Sequence, residues 1–209
     1  MALLALGLCP ALALPAASQH PRVELRTNRG PLVVELYPER APQSVASFIR
    51  TVEDGFYDRT LFHRVLKGLM IEGGGFQPGM QEKPARPAIP NESRHCLPNT
   101  RGTIALAHAQ DADSSSSEFF INLADNHGLD FDPTTPAGTG FCAFGRVVHG
   151  MSTVQAIAAV PVVSGGDFMG DVPVEEIIIE SARVLPANAR SGDDDGEAAH
   201  EFGDDNLGP

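Results

Sequence analysis

Short apolar segments separated by turn residues constrain the fold of this chain more than any other feature. Only two segments, 41–54 and 151–159, carry apolar residues at helical spacing. A parallel sheet needs a helix between most of its strands, and this sequence does not alternate in that way. We therefore predict a mainly β fold, a closed antiparallel barrel capped by two α-helices. The predicted strands cover residues 23–27, 32–36, 61–65, 70–73, 103–107, 119–122, 142–147 and 175–184.

Local turn and helix signals support this division of the chain. The segment 28–30 (Asn-Arg-Gly) lies between two apolar runs and is typical of a β-hairpin. In the segment 41–54, Pro42 falls in the first helical turn and Gly55 lies just beyond the end, as expected of an α-helix. Gly (21 residues) and Pro (17 residues) are frequent enough to favour a fold rich in strands and turns.

The charge balance excludes two classes of partner. The chain has 27 acidic and 15 basic residues, and its net charge is −12. A protein with this excess of negative charge is repelled by nucleic acid and by anionic lipid. We therefore expect no nucleic-acid binding. We also expect no stable insertion into a membrane, because the apolar run in residues 1–19 is too short to span a bilayer as a helix.

The two ends of the chain differ in composition from its middle. Residues 1–19 are uncharged and rich in Ala and Leu, which is typical of a secretory signal peptide, although no Lys or Arg precedes the apolar run. Residues 187–209 are strongly acidic and are expected to form a disordered tail. We predict a single domain over 20–186, exported to the periplasm or cell envelope, with a cytoplasmic location as the alternative. Cleavage of the signal peptide would remove Cys9 and leave Cys96 and Cys142. The sequence leaves open whether these two form a disulfide.

Several chemistries lack the residues they require. Three glycines at 73–75 suggest a phosphate-binding loop, but no Lys-Ser or Lys-Thr pair follows them. The seven histidines never occur at the spacing of a common metal-ligand pair, and no Ser or Cys stands in a triad signature. A metal-dependent hydrolase would depend on Asp111 and Asp113 alone, in a loop without the glycine and glutamate of a calcium site. We expect no metal and no cofactor.

Six motifs in one order resemble the cyclophilin family of peptidyl-prolyl cis-trans isomerases. The resemblance covers about residues 22–185 and is greatest to the compact bacterial members. It implies an eight-stranded barrel with two capping helices, in agreement with the elements predicted above. It also implies catalysis of rotation about X-Pro bonds in unfolded or flexible proline-containing polypeptides, by a monomer without a cofactor. The motifs are Phe62–Val65, Gly68–Met70, Gly73–Phe76, Asn99–Ala105, Glu118–Asn122 and Phe144–Val147.

The same resemblance assigns the site residues. Arg64 would be the catalytic donor, with Glu72 and Phe120 as its catalytic neighbours. Leu69, Met70, Phe120 and Leu129 would line a pocket for the proline ring. Ala107, His108 and Ala109 would offer backbone contacts along the groove, and Glu118 and Phe141 complete the substrate-binding set.

Two acids depart from the family pattern. Glutamine is usual at the positions of Glu72 and Glu118, and a carboxylate cannot donate a hydrogen bond as an amide does. We expect Arg64 to favour the ionised form of Glu72 and to be drawn toward it. Gly128 stands where a tryptophan is common, Phe141 replaces a histidine, and Leu69 replaces a phenylalanine. The alternative function is a proline-peptide binding module or holdase with little or no turnover.

Overall fold

The computed structural model describes residues 20–108, 111, 113, 117–135, 138–165 and 168–186. The two α-helices are α1 (Pro42–Glu53) and α2 (Met151–Ala158). The strands are β1 (Arg22–Thr27), β2 (Gly30–Leu36), β3 (Thr60–Phe62), β4 (Arg64–Leu66), β5 (Met70–Gly73), β6 (Phe76–Gln77), β7 (Gln81–Glu82), β8 (Thr103–Leu106), β9 (Phe119–Asn122), β10 (Ala143–His149), β11 (Val162–Gly165), β12 (Phe168–Pro173) and β13 (Ile177–Leu185).

Nine of these strands form one antiparallel sheet in the order β3-β13-β1-β2-β10-β8-β9-β5-β4. The predicted hairpin is present, with Thr27 opposite Gly30 and a two-residue connection between them. The last strand, β13, pairs with the whole length of β1 and so joins the two ends of the domain. Two small hairpins, β6-β7 and β11-β12, lie outside this sheet and were not predicted from the sequence.

The strand count differs from the expected eight because one predicted strand is broken at His63. Before the break, β3 pairs with β13 at one end of the sheet. After the break, β4 pairs with β5 at the other end. The segment 60–66 therefore belongs to both ends of the sheet and brings them together, which is how a sheet becomes a barrel. Counted as one interrupted strand, it gives the eight-stranded barrel that was predicted.

A cluster of aromatic rings fills the barrel beneath α1. The Phe48 ring lies 5.3 Å from that of Tyr57, 5.7 Å from Phe119 and 5.1 Å from Phe144, and all four side chains are buried. Burying each such side chain contributes about 1.5–3 kcal/mol. The buried Tyr57 hydroxyl has a hydrogen-bond partner in this core, because it donates to the carbonyl oxygen of Ser117 at 2.8 Å.

The start of α1 depends on a side chain distant in sequence. Pro42 occupies the first turn as predicted, but Ala41 offers no side-chain cap. The Glu92 carboxylate instead accepts hydrogen bonds from the backbone N–H groups of Gln43 at 3.0 Å and Ser44 at 2.8 Å. These N–H groups are among those that a helix cannot satisfy internally. Glu92 therefore fastens the long connection after β7 to the barrel.

That connection is also held by a disulfide between Cys96 and Cys142, which settles the pairing that the sequence left open. Across the described ranges, no helix is long and apolar enough to cross a bilayer. The signal peptide expected at 1–19 and the acidic tail expected at 187–209 lie outside the described residues.

Candidate functional site

Alternation along the strands separates the barrel core from a second apolar cluster on the outer face. Successive side chains of a strand point to opposite faces of the sheet. In β9, Phe119 and Ile121 belong to the core, whereas Phe120 between them belongs to the outer cluster. In β5, Ile71 belongs to the core and Met70 to the outer cluster. The site is therefore built on rigid strands, by the same periodicity that fills the barrel.

The outer cluster gathers three of the four residues predicted to line a pocket for a proline ring, Met70, Phe120 and Leu129. Phe120 is 1% exposed, and the ring of Phe141 packs edge-on against it at 5.5 Å. Of the residues assigned to substrate binding, the structure brings together Met70, Ala107, Leu129 and Phe141 around Phe120. The remaining members are Leu66, Leu97, Ala105 and Ala143.

Arg64 lies on the same face of the sheet as this cluster, between two carboxylates. Its register partner across β4 and β5 is Glu72, and Glu72 in turn lies opposite Phe120 of β9. The Arg64 Nη1 atom is 3.4 Å from Glu72 Oε2, and its Nε atom is 3.4 Å from Asp171 Oδ2. Both contacts are long for charge-assisted hydrogen bonds, which are usually about 2.7–2.9 Å. The guanidinium is one-third exposed and is therefore oriented without being enclosed.

Glu72 and Glu118, the two acids that stand where the family usually has glutamine, lie close together and are largely buried. Burial raises the pKa of Glu72, and this effect exceeds the lowering by Arg64 that the sequence argument emphasised. Burial also raises the pKa of Glu118 to about 7, and the neighbouring carboxylates of Glu72 and Glu82 add to the increase. Both carboxyl groups therefore keep their protons to higher pH than usual, because ionising both would place two negative charges in a poorly solvated part of the groove.

His63 lies beside these acids at the break between β3 and β4. Its side chain is 1% exposed, and its ring contacts that of Phe76 at 4.5 Å. Burial lowers the pKa of His63 to about 4, and the positive charge of Arg64 contributes, so the imidazole is neutral near pH 7. Ligand atoms of His63, Glu72 and Glu118 all lie within 4.8 Å of one another. Sequence spacing gave no sign of this group, because its members come from three separate segments.

The glycine-rich segment allows close packing of neighbouring side chains and does not form a phosphate loop. Gly74 has φ +94°, and a Cβ there would lie 2.8 Å from the Tyr57 ring and 2.9 Å from the Ser117 carbonyl oxygen. A Cβ on Gly75 would lie 1.9 Å from Glu118 Oε1. The absence of a side chain at 75 is therefore what leaves room for the Glu118 carboxylate.

Of the other residues predicted to contact the substrate, Ala107 and His108 have defined contacts beside the cluster, and Leu69 lies outside it. The Ala107 N–H donates to the Glu118 carbonyl oxygen at 2.9 Å, which fixes the end of β8 against β9. The His108 ring stacks on Phe141 with centroids 4.2 Å apart. Leu69 lies in the turn between β4 and β5 and is 37% exposed, outside the apolar cluster, so its role stays a prediction. Ala109 lies outside the described residues.

Sequence reasoning missed Asp171, the second carboxylate on Arg64. It lies in β12, whose hairpin with β11 places Val163 opposite Val172. Gly165-Gly166 between two apolar runs was an available turn signal. Even so, a local signal cannot indicate that the hairpin reaches Arg64, which is 107 positions away.

Comparison with known proteins identifies similar sequences and structures. Residues 22–184 match the family model described as cyclophilin type peptidyl-prolyl cis-trans isomerase/CLD. The chain is 43% identical over 162 residues to peptidyl-prolyl cis-trans isomerase B of Escherichia coli, covering 78% of this chain and 98% of that protein. It is 44% identical over 163 residues to the isomerase cyp18 of Streptomyces antibioticus, with the same coverages.

The fold is also similar to that of a solved structure. A cyclophilin-type isomerase of Cryptosporidium parvum, crystallised in the presence of the dipeptide Ala-Pro, superposes with a TM-score of 0.65 at 24% identity. The match covers 79% of this chain and 99% of that one.

Proposed function

Because this chain belongs to the cyclophilin-type peptidyl-prolyl cis-trans isomerase family, we propose that it is an active isomerase that assists the folding of proline-containing polypeptides. One observation carries the proposal: the Arg64 guanidinium stands beside an apolar cluster around Phe120, on the same face of neighbouring strands. The enzyme acts as a monomer on unfolded or flexible segments and needs no cofactor.

The chemistry is rotation about a bond that is partly double. The barrier to rotation is about 18–20 kcal/mol, and uncatalysed exchange of X-Pro isomers takes about tens to hundreds of seconds. An enzyme lowers this barrier by binding the twisted amide more tightly than either planar form. When the amide twists, the prolyl nitrogen regains a lone pair, and a hydrogen bond donated by Arg64 stabilises it. The pocket around Phe120 meanwhile holds the ring.

A proline-peptide binding module or holdase with little turnover is the second candidate. Glu72 and Glu118 favour it, because carboxylates attract Arg64 and do not donate to a substrate carbonyl. An exchange assay by NMR on an Ala-Pro peptide decides between the two. Peptide binding with no acceleration of exchange would reject the isomerase and leave the holdase.

We propose further that the protein is exported. The uncharged Ala- and Leu-rich residues 1–19 support this, as does the Cys96–Cys142 disulfide, because disulfides persist in oxidising compartments. Expressed from its own start in a host with a Sec system, the chain should yield a mature protein beginning between about Leu14 and His20. Mass spectrometry of the periplasmic fraction measures this. Uncleaved protein confined to the cytosol, even with a basic start added upstream, would contradict it.

Replacing Glu72 by glutamine should increase activity. The substitution keeps a hydrogen-bond acceptor 3.4 Å from Arg64, removes the charge that draws the guanidinium away from the prolyl nitrogen, and restores a donor. We expect Glu72→Gln to raise kcat/KM on a neutral Ala-Pro peptide two- to tenfold, or about 0.4–1.4 kcal/mol. The assay is run at pH 7 in the presence of a chelator.

Glu118→Gln serves as the companion variant. No contact between Glu118 and Arg64 is seen among the described residues, so a smaller increase is expected. Unchanged or lower activity in Glu72→Gln would mean that the enzyme uses this carboxylate productively.

A further inference from the structure

The neighbourhood of His63 combines three features that a transition-metal site requires. It has a neutral imidazole and two carboxylates as ligands, contributed by the β3-β4 junction, by β5 and by the residue before β9. Imidazole nitrogen with carboxylate oxygen is a ligand set used for zinc and related divalent cations. Because the three residues come from the barrel wall, their backbones are fixed before any ion arrives.

The spacing of the ligand atoms suits a cation after a small adjustment. They lie within 4.8 Å of one another in the structure. Ligands about 2.0–2.2 Å from zinc in a tetrahedral site stand about 3.3–3.6 Å apart. Side-chain rotations that move each donor by about 1 Å close this difference, and the long 3.4 Å contact of Glu72 with Arg64 gives little resistance to them.

The local charge also favours a cation. Glu72 and Glu118 are largely buried, Glu82 adds negative charge near Glu118, and Asp171 shares the Arg64 guanidinium with Glu72. Two carboxylates in one poorly solvated place repel each other, and the rise in the pKa of Glu118 records part of that cost. A divalent ion between them would relieve this repulsion.

We propose that His63, Glu72 and Glu118 form a binding site for one divalent transition-metal cation of the Zn²⁺ type. His63 contributes a ring nitrogen, and each glutamate contributes one carboxylate oxygen. Once bound, the ion replaces Arg64 as the partner of Glu72, and its double positive charge repels the guanidinium from the prolyl nitrogen, which outweighs the release of Arg64 from Glu72. It follows, and this step rests on the proposed isomerase function, that occupancy of the site slows isomerisation and that a chelator restores it.

Zinc binding itself is tested without reference to activity. Isothermal titration of the protein with Zn²⁺ in a non-coordinating buffer should show one site, and crystals soaked with Zn²⁺ should show an anomalous peak between the three side chains. Glu118→Gln should weaken the affinity at least tenfold, because even residues outside the coordination shell change metal affinity about 10- to 100-fold.

Two further variants make the test specific. Gly75→Ala keeps all three ligands, but its Cβ would displace the Glu118 carboxylate, so it should also weaken zinc binding. His20→Gln is the matched control, because it removes another histidine that lies beside two carboxylates, 3.7 Å from Glu35 and 3.3 Å from Glu39. We expect it to bind zinc as the unaltered protein does.

Three results would overturn the proposal. They are no heat of binding at millimolar Zn²⁺, equal affinity in Glu118→Gln and the unaltered protein, and loss of binding in His20→Gln. Zinc binding that leaves kcat/KM unchanged would overturn the inhibitory step. Absence of isomerisation in the metal-free protein would instead reject the proposed isomerase function. It would leave the zinc site standing, because the binding experiment does not depend on activity.

Discussion

Reduction of the Cys96–Cys142 disulfide is expected to lower the free energy of unfolding by about 2–4 kcal/mol. The two cysteines are 46 positions apart, and in the chain-entropy model a loop of this length corresponds to about 4 kcal/mol. The loss should be smaller than that upper figure. Other contacts also hold the connection, including the bridge between Leu97 and Ala143 and the hydrogen bond from Asn91 Nδ2 to the Gly140 carbonyl oxygen.

Urea denaturation with and without a thiol reductant measures this difference. A Cys96→Ala/Cys142→Ala variant is the control, because it should unfold at the same urea concentration in both conditions. Equal stability of the oxidised and reduced protein would show that the segment around Cys96 is held by its non-covalent contacts alone.

Local signals in the sequence predicted most of the barrel. The hairpin around residues 28–30 and the helix α1 depend on turn residues and periodicity that act within a few positions, and both occur where expected. The break at His63 was missed because no Gly or Pro interrupts residues 61–65 to signal a break. The break follows from pairing with β13 on one side and β5 on the other, and these strands are distant along the chain.

The candidate site likewise contains residues that the sequence identified and residues that only the tertiary structure brings to it. The family resemblance assigned Met70, Phe120 and Arg64 to one site, and the structure places them on one face of the neighbouring strands β4, β5 and β9. Asp171 and His63 were not assigned roles. The first depends on a hairpin packed against β4, and the second on a strand break that only barrel closure produces.

Burial was the other quantity that the sequence could not supply. A carboxylate beside an arginine is expected to have a lowered pKa. For Glu72 the direction is reversed, because desolvation in the groove outweighs the attraction of Arg64. The consequence of replacing glutamine by glutamate in this family therefore depends on how much water reaches the site.

Replacing Arg64 by alanine should lower kcat/KM at least tenfold, which corresponds to about 1.4 kcal/mol of lost transition-state stabilisation. The guanidinium is the cationic donor seen at the pocket edge among the described residues, and its stabilising hydrogen bond forms only when the amide twists. The loss should therefore appear in kcat more than in KM. Exchange spectroscopy on an Ala-Pro peptide measures both quantities.

Two control variants separate catalysis from folding. Arg64→Lys keeps the charge but loses the planar arrangement of donors, so its activity should fall between those of Arg64→Ala and the unaltered enzyme. Arg146→Ala removes an exposed arginine of β10, whose hydrogen bond to Thr100 is 3.3 Å long, and should retain full activity. Because Arg64 is one-third exposed and its two contacts are long, Arg64→Ala should melt within a few degrees of the unaltered protein. If the folded Arg64→Ala protein catalyses exchange at the original rate, the prolyl nitrogen is stabilised by some other donor, and Arg64 serves only to balance Glu72 and Asp171.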